Sequence, residues 1–254
     1  MTDKIEAFRA LHIPGDPLVL FNIWDAGSAK AVAAAGAKAI ATGSYGVACA
    51  RGSSDGENLS LDAALANLGE ILGVIDLPVS IDMEAGYGAD AAAVGRSVAR
   101  AHAAGAAGIN MEDRLPGETA LLAIATAMTR IAAAADTGLF VNARCDVFRG
   151  RDAAADGEAL VAATLERARA YADAGAGGLF VPFLSDPRCI AAICEGSPLP
   201  VNILWSTPCG DRGALAALGV ARISHGHQPW AAAMAWLGEQ AAAVLGGAVP
   251  RYAA

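Results

Sequence analysis

The chain has no run of about 18 uncharged apolar residues, the length that a membrane-spanning helix needs. Its longest candidate, residues 119–129 (TALLAIATAMT), is bounded by Glu118 and Arg130. The opening MTDKIEAFRA is charged and lacks a hydrophobic centre, so no secretory leader is expected. Clustered basic residues are missing as well. With 18 Lys and Arg against 26 Asp and Glu the net charge is −8, which argues against nucleic acid or an anionic membrane as partner. A small anionic substrate stays open, because a local arginine and a metal outweigh the global field. The five cysteines (Cys49, Cys145, Cys189, Cys194 and Cys209) are odd in number and show no CxxC zinc spacing. Free thiols in a reducing cytoplasm are the expectation. No linker, low-complexity segment or break in composition appears, so residues 1–254 read as one domain. Disorder is excluded by 55% hydrophobic and 17% charged residues.

What is present is an alternation. Short apolar runs lie at 18–24, 38–43, 78–83, 107–112, 139–143, 177–182, 200–204 and 220–224. Alanine-rich helical stretches fall near 26–36, 60–75, 90–105, 118–136, 156–174, 186–195, 211–218 and 228–245. Several runs are entered through a shared signature: AAGAKAI, AAGAAGI, DAGAGGL and ALGVARI. The glycine there ends a helix before a short turn into a strand. Eight such units at this length predict an α/β fold, a closed (β/α)8 barrel of the TIM type. WDAGSAK after the first run lacks GxGxxG, which weakens an open dinucleotide-binding sheet. Loops are expected at 44–59, 113–118 and 144–156.

Two acidic motifs stand out: Asp82 and Glu84 in SIDMEAGYG, and Glu112-Asp113 in GINMEDR. On an extended chain, residues two apart face the same way. Three carboxylates at neighbouring parallel strand ends make an all-oxygen site for a hard cation such as Mg2+. The competing reading is ordinary strand-end acids paired to Arg96, Arg114 or Arg144. A barrel gathers its reactive groups at the C-terminal strand ends. There the sequence places Asp25, Ser44-Tyr45-Gly46, Asp82, Glu84, Glu112, Arg144, Pro182, Asn202 and His225. Ions are rarely buried unpaired, so this convergence favours the metal site.

Individual candidates have plain readings beside the functional ones. Arg144 either makes a structural ion pair with Asp113 or Asp146, or grips a substrate carboxylate with its guanidinium fork. Tyr45 is a strand-end aromatic cap or a hydroxyl that orients substrate. Asn202 is a candidate substrate contact. His225 is a candidate general acid or substrate contact; a zinc site at His225 and His227 needs further ligands, and none is signalled. Strand alternation turns Cys145 away from Arg144, which favours a buried structural thiol. The 228–245 helix carries Trp230, Met234 and Trp236, anchors either for internal packing or for a partner subunit.

Taken together, FNIWDAGSAKAVAAAGAKAIATGSYGVA, LSLDAALANLGEIL, LPVSIDMEAGYG, GINMEDR, FVNARCDVF, VNIL and GVARIS resemble the isocitrate lyase/phosphoenolpyruvate mutase superfamily, in its short, mutase-like branch. The resemblance covers nearly the whole chain. It implies a barrel whose last helix is exchanged between subunits, giving a homodimer or homotetramer. It implies Mg2+, with Mn2+ as an alternative, and chemistry on an α-oxocarboxylate or enolpyruvate, a small anionic carboxylate substrate. By that analogy Asp82 is the direct metal ligand, and Glu84 and Glu112 hold metal-bound waters. Ser44, Tyr45 and Gly46 match a loop that binds substrate carboxylate through backbone N–H groups. Asp55 matches an acid on a mobile segment above the site, and Arg144 an arginine that contacts the substrate's carboxylate or oxo group.

One departure sets the expected subclass. Isocitrate and methylisocitrate lyases carry a K-[KR]-C-G-H segment after the ED motif, whereas EDRLPGETALL here runs straight on. The lysine and asparagine of true phosphoenolpyruvate mutases are absent too. With the gating loop shortened, the metal must carry the chemistry. The expectation is C–C cleavage of a small 2-oxo or 2-hydroxy acid through a pyruvate-type enolate, resembling oxaloacetate decarboxylase. The alternatives are a phosphonate enzyme (mutase, phosphonopyruvate hydrolase or carboxyvinyl-carboxyphosphonate phosphorylmutase) and a barrel that binds a metabolite without catalysis.

Overall fold

The computed structural model describes residues 2–250 and 252. Eight strands follow the chain: β1 (Leu18–Leu20), β2 (Ile40–Ala41), β3 (Val79–Asp82), β4 (Gly108–Glu112), β5 (Phe140–Arg144), β6 (Gly178–Val181), β7 (Val201–Leu204) and β8 (Arg222–Ser224). All pair in parallel, in the order β1-β8-β7-β6-β5-β4-β3-β2. Between β1 and β2 the ring closes just past β1, at Ile23. Its N–H donates to the Ala41 carbonyl at 2.9 Å, and its own carbonyl accepts from Gly43 N–H at 3.2 Å. The result is a nearly closed (β/α)8 barrel.

The helices are α1 (Thr2–Ala10), α2 (Ala26–Ala34), α3 (Ser44–Ala50), α4 (Leu61–Leu72), α5 (Ala91–Ala104), α6 (Ile124–Ala135), α7 (Ala153–Asp173), α8 (Pro187–Gly196), α9 (Arg212–Ala217) and α10 (Gln228–Leu245). Many start on side-chain caps: Asp25, Ser60, Asp90, Asp152, Asp186 and Asp211 each accept a backbone N–H of the first turn. Asp25, a candidate strand-end group, is thereby assigned a capping role.

Three expectations change. The stretch 44–59 is not all loop, because α3 forms within it. Helix α6 starts at Ile124 rather than 118, since the preceding residues fold back on themselves: Leu122 N–H donates to the Asp113 carbonyl at 2.8 Å, and Arg114 bridges Leu121. An unanticipated helix, α1, closes the bottom of the barrel. There the Phe8 ring meets Phe140 edge-on with centroids 5.4 Å apart, and His12 stacks on Phe140 at 4.2 Å. Burial drives the His12 pKa down to about 3.

The lumen above this plug is polar. Arg222, fully buried, donates from Nη2 to Asn110 Oδ1 at 3.1 Å and from Nε to Ser224 Oγ at 3.3 Å. Asn142 donates to the same Asn110 oxygen at 2.9 Å, and Asn202 to Ser224 at 3.1 Å. Four strands are tied across the barrel beneath its mouth by this network. Asn202 therefore sits inside the barrel wall, at 1% exposure.

The chain's last helix leaves the barrel. Along α10, Trp236 is 50%, Leu237 53% and Leu245 88% exposed. Elsewhere, the outer side of β1 and the flank of α2 frame an apolar groove of about 630 Å³ lined by Leu11, Ile13, Val19, Phe21 and Val32 among others. Among the described residues no helix is long and apolar enough to cross a membrane.

Truncating the plug tests its weight. Phe8→Ala leaves a cavity between α1 and β5 and should cost about 3–5 kcal/mol, read as a lower denaturant midpoint with an unchanged slope.

Candidate active site at the barrel mouth

Strand β3 ends at Asp82, and the chain then turns sharply. Glu84 has φ +48, so it is not extended and the period-two argument for its direction does not hold. A turn brings it beside Asp82 instead: Glu84 N–H donates to Asp82 Oδ1 at 3.3 Å. That turn is held from below by Arg130, whose Nη2 donates to the Ala85 and Gly88 carbonyls at 2.8 and 2.9 Å. Sequence reading passed over Arg130, since nothing local distinguishes a helix arginine that reaches loop carbonyls.

The Glu84 side chain is clamped. Its Oε2 accepts the N–H groups of Gly56 and Glu57, both at 2.7 Å, and its Oε1 accepts the Tyr87 hydroxyl at 3.3 Å. Glu57 returns the contact, accepting Tyr87 N–H at 2.8 Å. The segment carrying Asp55 is thus pinned over the mouth by the first acidic motif. Asp55 lines the same cavity as Glu84, Glu112 and Arg144, about 550 Å³ in volume.

Asp82 is anchored by backbone. Its Oδ2 accepts Ser44 N–H at 3.1 Å, and its own N–H donates to Thr42 Oγ1 at 3.0 Å. Ser44, Tyr45 and Gly46 form the first turn of α3 rather than a loop. A Cβ on Gly46 would approach the Cβ atoms of Trp230 and Trp24 to 3.2 and 3.3 Å, so close packing accounts for that glycine. The Tyr45 ring packs on His227 and Trp230, with centroids 5.4 and 5.6 Å away. His225 stacks on Trp205 at 5.6 Å, and burial lowers its pKa. The acids, Ser44, Asp55 and Arg144 therefore cluster, while Tyr45 and His225 belong to an aromatic group at the start of α10 and Asn202 to the lumen.

Arg144 makes the structural ion pair with Asp146, one of its two readings, and it pairs with Glu112 as well. Nε and Nη2 hold Asp146 Oδ1 and Oδ2 at 2.6 and 3.0 Å, and Nη1 holds Glu112 Oε1 at 2.6 Å. Burial opposes its charge, but Glu112 and Asp146 outweigh that and raise its pKa. Asp113 does not pair with Arg144. It accepts the Tyr171 hydroxyl at 2.6 Å, Arg167 Nη1 at 3.2 Å and Asp146 N–H at 3.0 Å. This buried support behind Arg144 was legible only as the acid of an ED pair. Cys145 is buried, and burial pushes its thiol pKa up, as befits a structural thiol.

Electrostatics at the mouth are unbalanced. Burial, then repulsion from Asp82 and Asp55, pushes the Glu84 carboxyl up to about 8. Burial raises Glu112 to about 7 against the pull of Arg144, and burial also raises Asp82. A dication relieves this kind of strain. Among the described residues no three His, Cys, Asp or Glu side chains converge as a direct metal cage. The oxygens explain why: those of Glu84 face donors of the 56–57 segment and Tyr87, and Glu112 Oε1 faces Arg144. The donor set fits Mg2+ held by Asp82 and otherwise through water, the mode this ion prefers.

Comparison with known proteins places the chain. Residues 8–245 match the sequence profile of phosphoenolpyruvate phosphomutase. The chain belongs to that family, within the isocitrate lyase/phosphoenolpyruvate mutase superfamily of lyases and mutases. In particular, it is similar to a crystal structure from Burkholderia cenocepacia J2315 described as a phosphonomutase, with 45% identity and a TM-score of 0.92 over 97% of this chain and 99% of that one. It is 35% identical to oxaloacetate decarboxylase from Bradyrhizobium sp. over 69% of this chain and 62% of that protein. With 2-methylisocitrate lyase from Salmonella typhimurium it shares 31% identity over 77% of this chain and 68% of that enzyme.

The raised carboxyls set a pH dependence. Their ordinary value is 4.5, so at pH 6.5–8 the native state retains protons that the unfolded chain has released. Stability then falls as pH rises through that window. His12 and His225 oppose it only near the lower edge of the window, where the unfolded imidazoles, with an ordinary value of 6.5, are still losing protons that the native ones have already released. In EDTA, thermal stability should drop by on the order of 1 kcal/mol between pH 6.5 and 8, and Glu84→Gln should flatten the profile. A rising profile would contradict the assignment.

Proposed function

We propose that the protein is a Mg2+-dependent lyase that cleaves a C–C bond in a small 2-oxo carboxylate, with oxaloacetate decarboxylation as the leading reaction. The observation that carries this reading is the cavity shared by Glu84, Glu112 and Arg144 beside Asp82 and rimmed by residues 114–119. Bound at Asp82, Mg2+ supplies a Lewis acid that polarises the 2-oxo group. Asp82 is held for that role by Ser44 N–H and by the turn at Glu84. Glu84 and Glu112 accept hydrogen bonds from water, and their oxygens are oriented by the 56–57 segment and by Arg144. Arg144, fixed by Asp146, presents its remaining N–H groups to the carboxylate next to the oxo group. Cleavage of the bond to the distal carboxylate releases CO2 and leaves its electron pair on the enolate of pyruvate, which then takes a proton.

Decarboxylation is favoured over phosphonate chemistry because CO2 departs without a protein acid. Transfer of a phosphoryl group needs a water-free enclosure to protect its intermediate. Here the segment after Glu112 folds back on itself, with Arg114 Nη1 donating to the Glu118 carbonyl at 2.6 Å, and its residues 114–119 line one side of the cavity in place of the longer segment expected of the lyases. The similarity to a protein described as a phosphonomutase supports the other reading, and phosphorus NMR of phosphonopyruvate separates the two. Oxalate and Mg2+ occupy a phosphonopyruvate hydrolase of the same fold, with a TM-score of 0.83 at 24% identity. Oxalate, resembling the enolate of pyruvate, is therefore the inhibitor of choice.

The protein is also proposed to assemble as a homodimer or homotetramer in which α10 packs on a second copy. Support comes from an 18-residue apolar helix that its own barrel leaves exposed and from an apolar groove beside β1.

Pyruvate release from oxaloacetate should be abolished by EDTA and restored by Mg2+. Asp82→Asn should lower kcat/KM by about a hundredfold or more. No metal-dependent turnover across a panel of C4–C6 di- and tricarboxylates would remove the proposal. Light scattering at micromolar concentration should show an oligomer, and Trp236→Glu with Leu237→Glu should shift it toward monomer.

A further inference from the structure

Among the described residues three arginines border the mouth cavity, and they differ in what their donors already hold. Arg144 commits Nε, Nη1 and Nη2 to Asp146 and Glu112. Arg114 gives Nε to Asp146 and Nη1 to the Glu118 carbonyl. Arg149 is different. Among the described residues its side chain has one recorded polar neighbour, Asp146 Oδ2 at 3.8 Å from Nη1, too far for a hydrogen bond. That oxygen already accepts from both other arginines. Arg149 therefore brings a guanidinium fork with open donors to a cavity whose remaining charged lining is largely acidic.

The fork is nonetheless held in place. Its Cζ lies 5.0 Å from the centre of the Phe183 ring, and Arg144 Cζ lies 5.8 Å from the same ring. Phe183 is 47% exposed and has φ +64. The left-handed region is unfavourable for a bulky side chain, and a ring this exposed recovers little of that cost by burial. What the conformation achieves is a platform beneath two guanidinium groups at the cavity edge.

We infer that Arg149, seated on Phe183, receives the second anionic group of the substrate, so that the site selects 2-oxo dicarboxylates over 2-oxo monocarboxylates. This rests on the proposed lyase reading, in which Arg144 takes the carboxylate beside the oxo group. Without Arg149, Asp55, Glu84 and Glu112 would repel a distal carboxylate from the cavity. A planar fork with free donors binds a carboxylate in two parallel hydrogen bonds. Because the distal carboxylate leaves as neutral CO2, this contact belongs to the bound substrate and fades as the bond breaks. Its loss must therefore appear in KM rather than in kcat.

The test compares wild type, Arg149→Met and Arg149→Lys with Mg2+, using oxaloacetate as substrate and two inhibitors. Oxalate probes the head of the site, and 2-oxobutanoate has the substrate's chain length without its distal carboxylate. Arg149→Met should raise KM for oxaloacetate about tenfold or more with kcat not lowered, and leave both inhibition constants within about twofold, with Arg149→Lys in between. An unchanged KM, or an equal loss of oxalate binding, overturns the inference. Failure of the lyase reading shows separately, as wild-type protein that binds oxalate with Mg2+ but releases no pyruvate. Calorimetric titration of oxaloacetate into wild type and Arg149→Met then reads the contact directly, and equal affinities overturn it.

Discussion

Buried carboxyl groups facing one cavity repel each other, and the mouth of this barrel is arranged around that repulsion. Asp82, Glu84 and Glu112 are brought together by the adjacent strands β3 and β4: Asp82 is level with Asn110, and Glu112 N–H donates to the Glu84 carbonyl at 2.7 Å just beyond. Only the side of the cluster at Glu112 is neutralised by protein, through Arg144 and more distantly Arg114. The side at Asp82 and Glu84 has backbone N–H groups and the Tyr87 hydroxyl, and among the described residues no cation pairs with it directly. Dipoles lessen the cost of a buried negative charge without removing it. On this asymmetry rests the proposal that a cation sits at Asp82 and the substrate carboxylate at Arg144.

A second consequence is strain. Among the described residues the non-glycine positions with positive φ are Glu57, Glu84, Tyr87 and Phe183. All lie at the mouth, and the first three form one interlocked unit through Glu57–Tyr87 and Glu84–Glu57 hydrogen bonds. Each costs on the order of 1 kcal/mol, which surrounding structure must offset. Arg130 does so for the turn at Glu84, through three loop carbonyls. The barrel wall and α6 thus set the direction of a carboxylate that they never touch.

How much of this could be read from residues alone depends on range. The eight strands and most helices were legible, because apolar runs, alanine periodicity and helix-ending glycines are local signals. So were the two acidic motifs and Arg144. Helix α3 was missed because SYGVACA holds a glycine and β-branched valine and begins on a position without a capping side chain. Helix α6 was started too early because alanine and leucine favour helix whether or not the chain folds back. Strand alternation does not give the direction of Glu84, because the strand ends at Asp82, two residues earlier. Partners distant in sequence, such as Tyr171 with Asp113 and Arg130 with the 85–88 loop, leave no local mark.

The polar lumen bears on why the mouth can be both charged and rigid. Barrel interiors of this kind are usually filled by branched apolar side chains. Here a buried arginine, three asparagines and serines span the strands beneath the acids. Burial disfavours the Arg222 charge, lowering its pKa to about 9, while Asp82 pulls it back up. That coupling means the guanidinium lies within the field of the acidic cluster although no carboxylate pairs with it. An apolar layer would leave Asp82 above a medium that cannot polarise, and its ionised form would be harder to hold. Replacing one long strand-end contact by a network shared among β4, β5, β7 and β8 spreads the positive charge under the site. It also ties β4 to β5 directly beneath the mouth, so the spacing of Glu112 and Arg144 is set by the barrel and not by the loops above it.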